Sequence, residues 1–200
     1  MAAKRQRQLS TADLVVLSLL GEGAMHGYQV NAELERRQVR DWADISRPQI
    51  YYSLEKLAAM KLLRQLDPGS ESGGPERRRF APTATGLERL AEALESSRWS
   101  SGRDKPPFLT WMALSWQARS GVFARQVRAR EAFLRRELRK ERETLASVLE
   151  EVGHPYHEAV WMIRLMIAQF RTELRWLSRV RGEAGRRASA RHYQRAAESP

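Results

Sequence analysis

The segment 46–63, SRPQIYYSLEKLAAMKLL, combines an apolar helical stripe with side chains that can recognise bases. Gln can form two hydrogen bonds with adenine, Lys can reach guanine or a phosphate, and Tyr offers both a hydroxyl and a ring. With about 100° of rotation per residue, Gln49, Tyr52 and Lys56 lie away from the stripe that begins at Ile50. Taken alone, these three side chains also fit an ordinary solvated helix face, so their interpretation depends on the elements around them.

The same segment carries a signal for the start of a helix. Ser46 and Gln49 have the spacing of a capping box, in which each side chain satisfies a backbone N–H of the other residue. Pro48 is tolerated in a first turn, and the resulting helix N-terminus can face a phosphate. We therefore predict a helix over 46–61, which contacts nucleic acid if the neighbouring elements form a winged helix. The candidate DNA-binding residues on it are Arg47, Pro48, Gln49, Tyr52, Ser53 and Lys56.

Short helices and a hairpin are predicted on both sides of this segment. Apolar periodicity indicates helices over 11–20 and 26–37, and a further helix from Thr83 to about residue 95. A Gly/Pro/Ser loop between LLRQLD and ERRRFAP is typical of a two-stranded hairpin over 64–82. Residues 1–95 thus predict a mainly α winged helix-turn-helix domain with three helices, a two-stranded β wing and a closing helix.

The hairpin contains three consecutive cations, Arg77, Arg78 and Arg79. Side chains alternate along a strand, so an inward Phe80 would place Arg77 and Arg79 on the outer face. We expect these arginines to position the protein on phosphates rather than to read bases. Lys4, Arg5 and Arg7 fit either a basic arm or an uninvolved terminus.

The second part of the chain is predicted to be wholly helical. A Ser/Gly/Pro-rich stretch over 96–107 indicates a linker, 108–181 indicates a helical dimerisation and sensor domain, and 182–200 indicates a disordered basic tail. Apolar residues at heptad spacing and on an almost entirely apolar later helix favour a dimer interface. The candidate interface residues are Leu134, Leu138, Leu145, Ile163, Ile167, Phe170 and Trp176.

Tryptophan and methionine are concentrated in the same region and suggest a binding site for a small aromatic or apolar effector. The candidate effector-binding residues are Trp99, Trp111, Trp116, Trp161, Met162 and Met166. Apolar helical faces are more often packing surfaces, so a dimer core remains the competing interpretation.

Composition restricts the other function classes. The chain has no cysteine and no G-x-S-x-G or H-E-x-x-H motif, so we expect no enzyme and no cofactor. His154 and His157 have only Glu158, Glu150 or Glu151 as a third ligand and fit loop and cap residues better, so we expect no metal. No apolar run approaches the ~20 residues of a membrane helix, and no signal peptide is evident, so we expect a cytoplasmic protein without a membrane partner. Of the net charge of +11, residues 1–95 carry +1 and residues 96–200 carry +10.

Three stretches of this sequence resemble the PadR family of bacterial transcriptional regulators. They are LSLLGEGAMHGYQV at 17–30, PQIYYSLEKLAAMKLL at 48–63 and GGPERRRFAPTATGLERL at 73–90. The resemblance implies a homodimer whose third helix enters the major groove of double-stranded DNA, with the wing along the phosphates. It also implies repression of a gene and, in many relatives, a response to a small molecule. The alternative function is a helical scaffold or protein-interaction module with non-specific DNA affinity.

Overall fold

The computed structural model describes residues 8–66, 78–101 and 106–184, which fall into two compact units, 1–103 and 104–200. In the first unit the elements are α1 (Thr11–Glu22), β1 (Met25–His26), α2 (Gly27–Arg36), α3 (Arg47–Ala59), β2 (Leu63–Gln65), β3 (Arg79–Pro82), α4 (Ala84–Leu94) and α5 (Arg98–Ser101). The second unit contains α6 (Pro107–Leu114), α7 (Val122–Val152) and α8 (Glu158–Glu183). Short 3-10 turns follow α2 and α6, at Val39–Asp41 and Ser115–Gln117. No helix in these described ranges is long and apolar enough to cross a membrane.

Helix starts in the first unit are fixed by side-chain caps. Ser10 and Asp13 form a capping box at α1, in which the Ser10 N–H donates to Asp13 Oδ2 at 2.7 Å and the Asp13 N–H donates to Ser10 Oγ at 3.3 Å. The predicted box at α3 is also present, with the Ser46 N–H donating to Gln49 Oε1 at 2.6 Å. These caps satisfy N–H groups that have no partner inside the helix.

The wing belongs to a three-stranded antiparallel sheet in the order β1-β3-β2, and the prediction of two strands was incomplete. Strand β3 pairs with β2 through Gln65 and Phe80, and its other edge pairs with β1 through Met25 and Phe80. A strand of only two residues has no alternation for a sequence pattern to reveal, which explains why β1 was missed. The segment 67–77, which contains Arg77, lies outside the described residues.

The core of the first unit unites the apolar stripe of α3 with α1 and the sheet. Its fully buried members, all at most 2% exposed, are Val16, Leu17, Leu20, Val30, Leu34, Ile50, Leu54, Leu57 and Phe80. Ile50, Leu54 and Leu57 of the predicted α3 stripe are therefore buried, and Ala58, one position further on, is partly buried against this core. Burial of this stripe leaves the opposite side of α3 facing outward.

In the second unit, α7 and α8 form an antiparallel pair joined by a short turn after Gly153. Gly153 ends α7 in the left-handed conformation, φ 72°, which a residue with a Cβ adopts only with strain. Val127 and Leu134 of α7 meet Leu177 of α8 in a small core, against which aromatic residues of α6 also pack. Two ion pairs, Arg130–Glu173 and Arg181–Glu131, also join the helices.

Gly86 is required where α4 crosses the chain just before β2. A Cβ at this position would lie 2.1 Å from the carbonyl oxygen of Leu62, an atom that already accepts a hydrogen bond from the Thr83 N–H. We expect Gly86→Ala to lower the free energy of unfolding by about 1–3 kcal/mol, the usual range for overpacking. Urea unfolding followed by circular dichroism measures the change.

Gly21→Ala is the matched control, because a Cβ there would meet only Leu87 at an ordinary distance of 3.5 Å. It should leave stability unchanged or raise it slightly, since alanine favours helix. Equal stability of the two variants would contradict the close approach at Gly86.

Candidate nucleic-acid interface

The N-terminal half of α3 presents a continuous outward face. Arg47, Pro48, Gln49 and Tyr52 are all exposed, and Tyr52 has 67% of its surface accessible. Because Ile50 and Leu54 are buried on the other side, these residues are held on a rigid helix and not on a loop. A guanidinium, an amide and a phenol are thus available together, and all three can hydrogen-bond to base edges or phosphates.

Gln49 has a structural role that limits what it can recognise. Its Oε1 accepts the hydrogen bond from Ser46 that caps α3, which leaves the amide NH₂ group to donate. Bidentate recognition of adenine needs both the oxygen and the nitrogen on one base edge, and a side chain that turns away from Ser46 to reach a base gives up the cap at a cost of about 1 kcal/mol. Within this face, Tyr52 is the most exposed of the aromatic side chains, and Arg47 lies with its guanidinium 5.9 Å from the centre of the Tyr51 ring.

Ser53 and Lys56 do not share the outward face. Ser53 is 1% exposed. Lys56 lies at the margin of the helix, and its ammonium donates to Oδ2 of Asp13 in α1, so that only 16% of its side chain remains exposed. The sequence pattern grouped both residues with the DNA-binding candidates because it does not show that Asp13 of α1 lies next to α3.

Asp13 is the functional candidate that the sequence pattern missed. Its side chain is fully buried, and burial alone would raise the pKa of the carboxyl group. Hydrogen bonding with Lys56, Ser10 and Ser53 outweighs burial and lowers the pKa of Asp13 below its ordinary value of 3.8. In the sequence, Asp13 follows Ser10 at the spacing of a helix cap, and nothing in that spacing indicates a contact with Lys56.

The described part of the wing carries two of the three predicted arginines. Arg78 forms an ion pair with Glu55 of α3, and its guanidinium carbon lies 5.6 Å from the centre of the Phe80 ring. Arg79 is exposed in β3, with its Nε 3.4 Å from the carbonyl oxygen of Ala24. Exposed Arg64 on β2, absent from the predicted set, adds another cation to the same sheet. Lys4, Arg5 and Arg7 lie outside the described residues.

The six candidate effector residues are divided between the two units. Trp99 belongs to the first unit, where its Nε1–H donates to the Ala93 carbonyl at 2.8 Å and the Arg98 guanidinium lies over its ring. In the second unit, Trp111 stacks between Phe108 and Phe123 with ring centroids 5.2 and 5.7 Å away. Trp116 and Trp161 are exposed, and Met162 and Met166 are half-buried. Trp111 therefore has a packing role, and Trp116 and Trp161 present accessible indole rings.

Most candidate dimer residues are already covered within one chain. Leu134, Ile163 and Ile167 are buried, while Leu138, Leu145 and Phe170 are half-buried. Trp176 remains exposed, together with Trp161 and Leu165 on the same helix, and an apolar cleft of about 500 Å³ borders Trp176. Spacings of four and eleven residues place these three side chains on one face of α8. Apolar periodicity cannot show which apolar residues are covered by the same chain. This explains why most of the predicted interface residues are not exposed.

His154 and His157 act as hydrogen-bond acceptors in the turn between α7 and α8. Nδ1 of His154 accepts from the Tyr156 N–H at 3.2 Å, and Nδ1 of His157 accepts from the Ala159 N–H at 3.1 Å and caps α8. Within the part of the chain that the structure describes, no group of three or more His, Asp or Glu side chains could hold a metal ion.

The lowered pKa of Asp13 predicts a pH-dependent contribution to stability. A carboxyl group whose pKa is lower in the folded state stabilises the fold fully above its unfolded value of 3.8, and this contribution is lost as the pH falls from there through the lowered pKa of the folded state. At neutral pH, Asp13→Asn should lower the free energy of unfolding by about 3 kcal/mol, the lower end for a buried pair because Lys56 reaches solvent. Below about pH 4 the difference from wild type should shrink, because Asp13 of the unfolded wild-type chain then takes up a proton that the folded protein binds only at lower pH.

Urea unfolding at several pH values between 7 and 3 measures this difference. Asp44→Asn, at an exposed carboxylate of the same unit, is the control and should behave like wild type throughout. A gap between Asp13→Asn and wild type that stays constant down to pH 3 would contradict the assignment.

Comparison with known proteins relates part of this chain to a family. Residues 16–92 match the model of the transcriptional regulator PadR-like family. No curated protein matches the chain in sequence. Among solved structures, Bacillus subtilis PadR in complex with operator DNA superposes with a TM-score of 0.71 at 14% identity, covering 88% of this chain and 98% of that one.

Two further solved structures share the fold. The PadR-like transcriptional regulator BC1756 from Bacillus cereus has a TM-score of 0.67 at 16% identity, covering 86% of this chain and 97% of that one. Bacillus subtilis PadR in complex with p-coumaric acid has a TM-score of 0.59 at 19% identity, covering 86% and 96%. At these identities the similarity establishes a common fold. Residues 16–92 are therefore a domain of the PadR-like family of transcriptional regulators, within a chain that has the PadR fold.

Proposed function

We propose that this protein is a sequence-specific DNA-binding transcriptional regulator that acts as a homodimeric repressor on a palindromic operator. The observation that carries the proposal is the outward face of α3, where Arg47, Gln49 and Tyr52 stand on a rigid, capped helix of a PadR-like domain. Support also comes from the similarity in fold to Bacillus subtilis PadR, which was solved in complex with operator DNA.

In the proposed complex, α3 enters the major groove and Tyr52 and Arg47 contact bases and adjacent phosphates. The N-terminus of α3, with Pro48 in its first turn, faces a phosphate, because the helix dipole favours an anion there. Arg79 and Arg64 of the sheet lie along the phosphate backbone of the DNA. Phosphate contacts of this kind set the position of the protein, and the α3 face supplies sequence preference.

A second copy of the chain is the proposed partner of the exposed apolar face of α8. Trp161, Leu165 and Trp176 line this face, and large apolar side chains grouped on one surface typically mark an interaction site. Two-fold symmetry of the dimer then requires two half-sites, about 34–36 Å or a multiple of that distance apart on the DNA.

A small aromatic or apolar effector that releases the DNA completes the proposal. It is supported by the complex of Bacillus subtilis PadR with p-coumaric acid and by an accessible indole ring outside the α8 face, that of Trp116. Flat apolar molecules stack well on such rings.

Truncation of Tyr52 tests the reading role of α3. Tyr52→Ala should weaken binding to the preferred duplex by about 1–3 kcal/mol while leaving binding to random duplex almost unchanged, since a base contact adds discrimination and little general affinity. Fluorescence anisotropy titrations on both duplexes measure the two affinities. The Tyr52 side chain is exposed, so the fold should be unaffected.

Tyr156→Ala makes the same truncation at a tyrosine that is 75% exposed in the turn between α7 and α8, and serves as the control. It should bind both duplexes as wild type does. If Tyr52→Ala retained the full preference, α3 would not read sequence through Tyr52, and a scaffold that binds DNA only through its charge would become the better account.

Charge placed on the α8 face tests the proposed dimer. Leu165→Glu should convert the dimer to monomers, because an unpaired carboxylate would be buried at the centre of an apolar contact. Sedimentation velocity measures the mass in solution. Leu94→Glu is the control, since Leu94 is 60% exposed and Leu165 is 59% exposed, but Leu94 lies on α4 of the first unit. A Leu165→Glu protein that remained dimeric would place the interface elsewhere.

A further inference from the structure

Lys56 stands on the helix proposed to read DNA, yet its charge is directed into the protein. Its ammonium donates to Oδ2 of Asp13, a residue 43 positions earlier in the chain, and the side chain is largely covered. A lysine that contacts phosphate normally keeps its ammonium in solvent until DNA arrives. Lys56 would first have to leave a buried carboxylate, which would strand that charge without a partner.

Asp13 is itself held in place from more than one side. Its Oδ2 also accepts the Ser10 N–H at 2.7 Å, so that the carboxylate belongs to the cap of α1. On the α3 side, both Lys56 and Ser53 contribute to keeping the carboxylate ionised. The pair thus connects the first turn of α1 with the last turns of α3.

Apolar contacts also join α1 and α3. Leu17 and Leu20 of α1 and Ile50, Leu54 and Leu57 of α3 belong to the same buried cluster. Apolar contacts favour burial but have little directional preference, so they tolerate small rotations of one helix against another. A charge-assisted hydrogen bond has a defined direction and length, and buried polar pairs are best attested as devices that fix register.

A small rotation of α3 against α1 would move Tyr52, because Tyr52 lies close to the Asp13–Lys56 pair on α3. Lys56 follows Tyr52 by four residues, which places the two side chains on neighbouring positions one turn apart. A recognition group must be held within roughly 0.5 Å and 10–20° of its working geometry. Fixing Lys56 to α1 therefore also fixes the angle at which Tyr52 projects.

We propose that Asp13 and Lys56 are a positioning pair that sets the orientation of α3, and that Lys56 acts through Asp13 rather than by touching DNA. The inference rests on the proposed function, because it takes α3 as the DNA-reading helix. It assigns a role in sequence discrimination to Asp13, which belongs to a different helix.

The two roles for Lys56 predict opposite results for one substitution. Asp13→Asn removes the carboxylate but keeps the lysine charge, which is then released to solvent. If Lys56 were a DNA contact, its release would leave operator binding unchanged or strengthen it, with a steeper salt dependence. If the pair positions α3, the same substitution weakens operator binding and lowers the ratio of specific to non-specific affinity.

The experiment is a double-mutant cycle of Asp13→Asn, Lys56→Met and the double variant, measured by anisotropy on the preferred duplex and on random duplex. Circular dichroism selects a temperature at which all four proteins are folded, and partial unfolding would in any case lower both affinities in proportion. We expect all three variants to lose about the same specific affinity, about 3- to 100-fold, since each breaks the same pair. Loss restricted to the two variants that lack Lys56 would overturn the inference in favour of direct contact.

Glu22→Gln provides the matched control. It breaks an ion pair that also starts from α1 but ends on Arg37, after α2, so it should leave the affinity ratio unchanged. An equal fall in the ratio for Glu22→Gln would mean that any lost ion pair of α1 has this effect, and would overturn the specific role of Asp13.

The same measurements distinguish failure of the proposed function from failure of the positioning role. If wild-type protein prefers no duplex over random DNA, the reading role of α3 fails and the positioning role fails with it. If wild type shows a preference that Asp13→Asn retains in full, the positioning role alone is wrong.

Discussion

Burial of one side of α3 is the constraint on which the rest of the structure depends. Ile50, Leu54 and Leu57 are almost completely removed from solvent, and each side chain of this size contributes about 1.5–3 kcal/mol when buried. Because these residues recur at helical spacing, their burial forces the opposite side of α3 outward. Tyr52 is exposed for this reason, and its exposure is a consequence of how the core forms. The core therefore determines which side chains can meet another molecule.

Some cations of the first unit form ion pairs within the protein, and others are exposed. Arg78 and Lys56, both expected from the sequence to contact DNA, form ion pairs with Glu55 and Asp13. Arg79 and Arg47 remain exposed. The first 95 residues carry a net charge of only +1, so the proposed affinity for DNA depends on where these cations lie rather than on how many there are. Removing one partner of a buried pair such as Asp13–Lys56 is costly, but the whole pair adds little stability relative to apolar side chains of the same size, so it is better understood as a restraint on geometry.

Local signals in the sequence were sufficient for most of the fold. Ser46 and Gln49 form the predicted cap, Thr83 caps α4, and the α3 stripe is buried, because capping and periodicity depend on residues a few positions apart. Features that depend on distant residues were not predictable. The partner of Lys56 is 43 positions away. Likewise, strand β1 exists only through its pairing with β3. In the second unit, periodicity identified Ile163 and Trp176 as apolar but could not reveal that only Trp176 remains exposed.

The central claim is that this protein recognises a particular DNA sequence. Its most direct test is fluorescence anisotropy on labelled duplexes tiled from the region upstream of the gene, at two salt concentrations and with random-sequence competitor. The account predicts that one duplex binds tightly, resists the competitor and weakens steeply as salt rises, because phosphate contacts release counterions. Equal and weak binding to every duplex would contradict it, and would mean that the net charge of +11 alone attracts DNA.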